Sequence, residues 1–261
     1  MAKIFLVIIT CFLTLRVNAE CGAPALWAYP AEKQIKQNSW IVLEEYNFRP
    51  TNILDSLNTR YPVYLQSRGH RVRLLVIEVC NGMFNLKQAV LMPEETLVAG
   101  ETYTLQIDRL SGEDKDLPFK MNYQTWEREP YSWLVTPGAD TQAPDWLKKP
   151  ALKSKATHWY GCGPAVNAIF DLKVTEAQSQ VLVKTEWVDL ETNTIGVYYL
   201  STESDGLLYV GHDMCSGAFV YTPKHTYKVR FSLMDFSGNK NEIWTDWVSF
   251  DSPFEDIGST E

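Results

Sequence analysis

Tyr227-Lys228-Val229-Arg230-Phe231-Ser232-Leu233-Met234-Asp235, entered through Tyr221-Thr222-Pro223-Lys224-His225-Thr226, alternates apolar and polar side chains over most of its length. A period of two sends successive side chains to opposite faces of a strand, whereas a helix repeats its apolar positions every three or four residues. A turn centred on Gly238-Asn239 follows, and then a returning run, Ile243–Phe250. The first half of the chain carries an echo, Leu97-Val98-Ala99-Gly100-Glu101-Thr102-Tyr103-Thr104-Leu105-Gln106-Ile107. Each stretch has a turn, then Thr-Tyr, then alternation into a strand. The repetition predicts two copies of one β-rich unit.

The same rhythm extends outward. Trp40–Tyr46, His70–Cys80, Thr102–Asp108 and Phe119–Trp126 read as strands, and Arg68-Gly69, Asn81-Gly82 and Ser111-Gly112 read as turns. Ala165–Leu172, Val181–Leu190, Ile195–Ser201 and Leu207–Gly211 continue the pattern. Only Thr51–Asn58 reads as a helical turn. Strands this short, without intervening helices, predict an all-β chain of two tandem antiparallel sandwiches. We expect a first domain at 20–128, a linker at 129–144, a second domain at 145–252 and a polar tail at 253–261. Glu129-Pro130, Thr136-Pro137-Gly138 and Ala143-Pro144 suit the linker, because proline withholds a backbone donor and glycine relaxes the chain. Trp133 and Leu134 inside it are expected to pack on a neighbouring domain.

The N-terminus reads as an export signal. Lys3 is followed by an apolar run from Ile4 to Leu15, too short to span a bilayer, and Val17-Asn18-Ala19 fits a cleavage site before Glu20. No other segment reaches transmembrane length. A chain cleaved there has 22 basic and 32 acidic residues, a balance that disfavours nucleic acid and anionic membrane surfaces. Cys11 leaves with residues 1–19, and Cys21, Cys80, Cys162 and Cys215 remain. An oxidising compartment favours disulfides, and the economical pairing of the three possible is Cys21–Cys80 and Cys162–Cys215, one staple in each domain. The absence of any Asn-X-Ser/Thr acceptor after residue 19 favours a bacterial source, with a secreted or periplasmic destination.

The stretch from Tyr29-Pro30-Ala31 through Asn38-Ser39-Trp40-Ile41-Val42-Leu43 to Ala99-Gly100-Glu101-Thr102-Tyr103 resembles bacterial immunoglobulin-like domains. Ala143-Pro144-Asp145, together with Tyr227–Asn239 and Ile243–Phe250, resembles a fibronectin type III or related immunoglobulin-like domain. The two resemblances cover most of residues 27–250. In such sandwiches a tyrosine near the start of a late strand bonds back to the backbone, so Tyr103 and Tyr227 are the candidate corner residues. The resemblance implies spacers, stalks or binding modules of the cell envelope and names no ligand.

Chemical motifs are sparse. Gly211-His212-Asp213-Met214-Cys215 and Thr157-His158-Trp159-Tyr160-Gly161-Cys162 could bring two cysteines and two histidines together, but an oxidising compartment favours the disulfide over zinc thiolates. No Gly-X-Ser-X-Gly elbow, phosphate loop or His-Glu-X-X-His occurs. Glu44 and Glu45 are neighbours on a strand, point to opposite faces and cannot form one dyad; solvation is their expected role. Asp235–Glu242 lacks the ligand pattern of a calcium loop and reads as a hairpin turn. We therefore expect no catalytic residue, no metal and no cofactor. Nine tryptophans and thirteen tyrosines leave aromatic contacts as the remaining signal, with Trp133, Trp146 and Trp159 as candidate ligand contacts because they sit in loop-like sequence. The leading reading is a non-enzymatic exported binding or structural module with a protein or polysaccharide partner. The alternatives are a secreted hydrolase or metal-dependent enzyme with a loop site near Cys162 and Cys215, and an assembly subunit joined by strand addition.

Overall fold

A computed structural model describes residues 24–47, 52–122, 124–175 and 178–254. The fold is all-β: among the described residues there is no α-helix, and the predicted helical turn is a single 3-10 turn at Leu54–Ser56. Eight strands of the N-terminal half form one hydrogen-bonded path. They are β1 (Ala25–Tyr29), β2 (Gln34–Ile35), β3 (Ile41–Tyr46), β4 (Val63–Gln66), β5 (Arg71–Asn81), β6 (Leu86–Pro93), β7 (Thr102–Ile107) and, after the separate hairpin of β8 (Phe119–Asn122) and β9 (Glu127–Pro130), β10 (Ser132–Val135). The order is β1-β3-β6-β5-β4-β7-β10-β2. The long strand β5 makes the path fold over on itself, because Arg71–Arg73 pair with β4 while Leu74–Asn81 pair with β6.

The C-terminal half holds two sheets. The first is β11 (Asp145–Tyr160), β12 (Gly163–Thr175) and β15 (Leu207–His212), in the order β11-β12-β15. The second joins β13 (Val181–Asp189), β14 (Ile195–Leu200) and β16 (Thr226–Asp235) in the order β14-β13-β16, with β17 (Lys240–Asn241) and β18 (Val248–Asp251) both on β16.

The strands read at Phe119–Trp126 and Ile243–Phe250 are shorter, Phe119–Asn122 and Val248–Asp251, and two further stretches differ more. Ser132–Val135, read as linker, pairs with β7 and β2 inside the first sheet path, and Trp133 and Val135 are buried there. The flanking prolines masked a short alternating strand. Asp145–Tyr160, not read as a strand, is the longest one, because its outward positions carry Lys148, Lys149, Lys153 and Lys155 and it includes Pro150. Lysine and proline are the usual means of blunting an edge strand against further pairing.

The apolar pattern on β3, β5 and β6 positions everything else. Ile41, Leu43, Ala89 and Leu91 enter a core inside the N-terminal half, while Val42, Tyr46, Leu86 and Val90 enter the core of the C-terminal half with Trp187, Tyr198, Tyr199 and Phe231. On β5, Val72 and Leu74 face the first core and Cys80 the second, the switch being made at a register shift between Val76 and Glu78. A bulge of this kind redirects side chains to the other face. Strands β3 and β6 are thus covered on both sides, which explains the nearly unbroken apolar run Trp40-Ile41-Val42-Leu43. Burying each such side chain contributes about 1.5–3 kcal/mol. Because one core draws on both halves, thermal unfolding followed by far-UV circular dichroism and by tryptophan fluorescence is expected to be a single coincident transition. Leu86→Ala should lower stability by about 2–5 kcal/mol and shift both signals together; two separated transitions, with only one responding, would refute the shared core.

Candidate functional site

The place where the halves meet is built by a strained hairpin. The β5–β6 turn is made by Phe84 and Asn85, at φ 53° and 65°, with the Leu86 amide donating to the Met83 carbonyl at 3.1 Å. Positive φ at both central residues is the geometry of a type I′ hairpin, which suits asparagine and is costly for phenylalanine. The Asn81-Gly82 pair expected to turn lies just before it, at the end of β5. Met83 then donates its amide to the Gly217 carbonyl at 2.8 Å, so the hairpin tip docks on the loop following β15. Gly217 is tightly confined: a Cβ there would lie 2.3 Å from the His212 backbone.

Between this tip and the second half lies a cleft of about 760 Å³, walled by Tyr46, Phe84, Cys162, His212, Cys215 and Phe254 among others. The Phe84 ring meets His212 edge-on, with centroids 5.3 Å apart. His212 Nδ1 is 2.8 Å from the Asp213 carbonyl, which can only accept, so Nδ1 carries the proton and Nε2 a lone pair. Burial lowers the His212 pKa against the weaker pull of that carbonyl and of Asp213, and the ring is neutral at pH 7.

The expected staples are not made. Cys80 and Cys162 are free thiols. Cys80 sits in the shared core, where burial and the nearby Glu78 push its thiol up to about 12. Cys215 is disulfide-bonded, and its partner is not among the described residues; Cys21 also lies outside them.

The remaining sequence candidates are scattered. Tyr103 Oη accepts the Val98 amide at 3.3 Å and Tyr227 Oη accepts the Thr222 amide at 2.7 Å, each five residues upstream. Trp133 is a core residue, 2% exposed, with its indole donating to the Pro30 carbonyl at 2.9 Å, and has no face left for a ligand. Trp146 packs against the shared core. Trp159 is half-exposed and meets Phe254, a wall of the cleft, edge-on at 5.8 Å.

Two polar groups missed by the sequence reading join the halves. Glu44 and Glu45 do point to opposite faces, but solvent is not their partner. Glu45 is fully buried and accepts from Asn47 and the Leu54 amide, while Glu44 accepts from Tyr198 Oη at 2.7 Å and from Gln88 at 3.3 Å. Burial raises the pKa of both, against those hydrogen bonds. Gln88 also exchanges two hydrogen bonds with the Tyr199 backbone, and Glu78 takes Tyr199 Oη at 2.8 Å and Lys184 Nζ at 2.8 Å. The second group centres on Asp140 and Asp235, both fully buried. Asn38 and Asn239 each donate to the Asp140 carbonyl, and Asp235 accepts the amides of Ser237 and Asn239. Gly238, at φ 81°, turns this loop against the Trp40 ring, so Asp235–Glu242 is indeed a turn. No pattern in the sequence pairs such distant residues.

Asp189, Glu191 and His225 bring ligand atoms within 4.8 Å of one another. Their donors and acceptors are spent internally: Asp189 holds the Glu191 and Thr192 amides and His225 Nδ1, and Glu191 takes the Thr226 amide. Burial opposes ionisation of Asp189, yet His225 and the two amides outweigh it and lower its pKa. The cluster reads as a loop clasp.

No protein-family model matches the chain, and no curated protein does. Among solved structures, the N-terminal part of the bacterial S-layer protein SbsC aligns at TM-score 0.27 and 11% identity, covering 88% of this chain and 44% of that one. The adhesin InvE of Yersinia pseudotuberculosis aligns at TM-score 0.22 and 15% identity, over 88% of this chain and 58% of its own. A two-domain fibronectin type III segment of chicken tenascin gives TM-score 0.20 and 12% identity, over 88% and 98%. The chain spans about a quarter of the length of the pullulanase of Anoxybacillus sp. LM18-11, which it matches at TM-score 0.24 and 10% identity over 84% of its own residues. At these scores the likenesses carry no functional argument.

The junction makes a pH prediction. Burial first, and Asp140 last, raise the Asp235 pKa from 3.8 to about 6, outweighing its hydrogen bonds. A carboxyl raised in the folded state favours folding when protonated. That contribution is complete below pH 3.8 and lost as pH rises towards about 6. Denaturant midpoints of the wild type minus those of Asp235→Asn should therefore fall across this window; a flat difference would show that Asp235 titrates normally.

Proposed function

We propose that this chain is an exported, non-enzymatic binding module of two immunoglobulin-like sandwiches, and that the cleft at their junction is its binding site. The cleft carries the proposal. Its volume falls in the range of about 300–1,000 Å³ common to small-ligand sites, and aromatic side chains from both halves frame it around one neutral imidazole. Such a lining suits an apolar or aromatic group, either free or as a side chain or headgroup of an envelope polymer. The sandwich assignment draws support from the topology of the second half, three strands facing β14-β13-β16-β18, and from the two tyrosine-to-backbone bonds. Trp159, seated against Phe254, supplies an optical reporter at the cleft wall.

A second reading, a hydrolase, is favoured by one observation: the free Cys162 thiol and the neutral His212 share the cleft. Alkylation of Cys162 at pH 6 at least ~10-fold faster than that of free cysteine would favour that reading.

The binding reading is tested by titrating the mature protein with anilinonaphthalene sulfonate, an apolar probe, and with a panel of envelope polysaccharides, following Trp159 fluorescence. Saturable one-to-one binding of the probe, weakened about tenfold or more (about 1.4 kcal/mol) by Phe84→Ala and by Phe254→Ala, is the expected result. Binding that is absent, or indifferent to both substitutions, would remove the cleft from consideration.

A further inference from the structure

We propose that the outer face of β11 binds an acidic polysaccharide, one whose sugar rings carry carboxylate or sulfate groups. Facing residues of antiparallel strands project to the same side of a sheet. On β12, Val166, Ala168, Phe170 and Leu172 enter the core, so the partners of the intervening positions lie on the outer face. The register puts Lys148 opposite Lys173 there, Ala151 opposite Asp171, Ser154 opposite Ile169 and Tyr160 opposite Gly163. Lys153, the extra residue of the register shift between Leu152 and Ser154, joins the two lysines around Asp171. The Lys148 hydrogen bond, and then the charges of Lys153 and Lys173, hold the Asp171 carboxyl below its usual range against desolvation. Three ammonium groups thus meet one carboxylate. Lys153 and Lys173 are exposed and form no ion pair among the described residues.

Edge protection accounts for lysine on β11 but does not call for Lys173 on the neighbouring strand. Like charges directly opposite one another weaken a sheet, and Lys148 and Lys173 are such a pair. The chain has 24 basic and 32 acidic residues, yet no acidic residue stands between Trp146 and Phe170. An anionic ligand supplies the missing counter-charge. The spacing selects the kind of anion. Lys148 and Lys153 are separated by at most about 16 Å of strand. Over that length duplex DNA presents about nine phosphates. The lysines match a sparser polymer, with its charges set a sugar ring or more apart. Ala151, Ser154 and Ala156 keep the strand low between the lysines and Tyr160, whose ring is 55% exposed and offers a surface to a sugar face. On β15 the same outer face carries Tyr209 and, hydrogen-bonded to it, Asp205, so the polymer follows β11 and does not cross the sheet.

The full chain is titrated with polygalacturonate and with dextran sulfate, and in parallel with neutral dextran, duplex DNA and phosphatidylglycerol vesicles. Saturable binding of at least one anionic polysaccharide is expected, weakening as salt rises. It should be about tenfold or more weaker, about 1.4 kcal/mol, in Lys153→Glu/Lys173→Glu and in Lys153→Gln/Lys173→Gln, which adds no new charge. Lys153→Arg/Lys173→Arg should retain it, and Phe84→Ala, at the cleft, should leave it unchanged. Lys173→Glu replaces a like-charge pair by an opposite one, so that variant should melt at or above the wild-type temperature while binding less; this separates loss of the site from loss of the fold. The assignment is overturned if neither anionic polysaccharide binds, if neutral dextran binds equally, or if the glutamate and glutamine variants bind like the wild type. DNA or vesicles binding as tightly as the better polysaccharide, or a loss caused by Phe84→Ala, would overturn it too.

Discussion

Everything in this molecule depends on two paired strands, β3 and β6, that are covered on both faces. β3 and β6 send alternate side chains into two different cores, and β5 does so by a change of register. A strand that lies between two apolar layers cannot shift by one residue without sending Glu44 or Gln88 into a place made for leucine or alanine. The polar residues on this sheet are therefore as fixed as the apolar ones. Glu44, Gln88 and Glu78 each stand where a hydroxyl, a backbone amide or an ammonium of the second half meets them. Buried groups of this kind add little net stability when paired and cost much when left unpaired, so they act chiefly to select one docking geometry.

The cleft follows from that docking. The hairpin that carries Phe84 is the extension of the two strands β5 and β6 beyond the doubly covered region, and it reaches the loop after β15 because the sheet beneath it is immobilised. A positive φ at a phenylalanine is an expense that an ordinary hairpin avoids by using glycine or asparagine. Here the ring closes one side of an apolar cavity and rests against His212, a contact that neither of those residues could make.

The all-β class, most strand positions and the turn at Gly238 were legible because alternation and glycine placement are local properties. The hydrogen bonds that Tyr103 and Tyr227 accept are local too, since donor and acceptor lie five residues apart. What eluded the sequence was set at long range. Glu44 accepts from Tyr198, 154 positions away, and nothing near Glu44 in the chain announces it. Trp133 read as a linker residue because prolines stand on both sides of it, although its indole finds the Pro30 carbonyl 103 positions earlier. β11 was hidden by its lysines, which describe an edge more than a strand. The cysteines misled for a different reason: Cys80 is a thiol in the shared core and Cys162 a thiol on the cleft wall, and spacing along the chain announces neither position.

The shared sheet also sets an order of assembly. A chain made from its N-terminus completes β1, β3, β5 and β6 by Pro93, whereas the strands that cover their outer face, β13 and β14, begin only at Val181 and Ile195. In the interval Val42, Tyr46, Leu86 and Val90 form an apolar surface on an otherwise finished sheet. Such a surface invites association with a neighbouring nascent chain. The half-made protein is thus its own most vulnerable form, and its safe passage depends on how quickly the second half arrives.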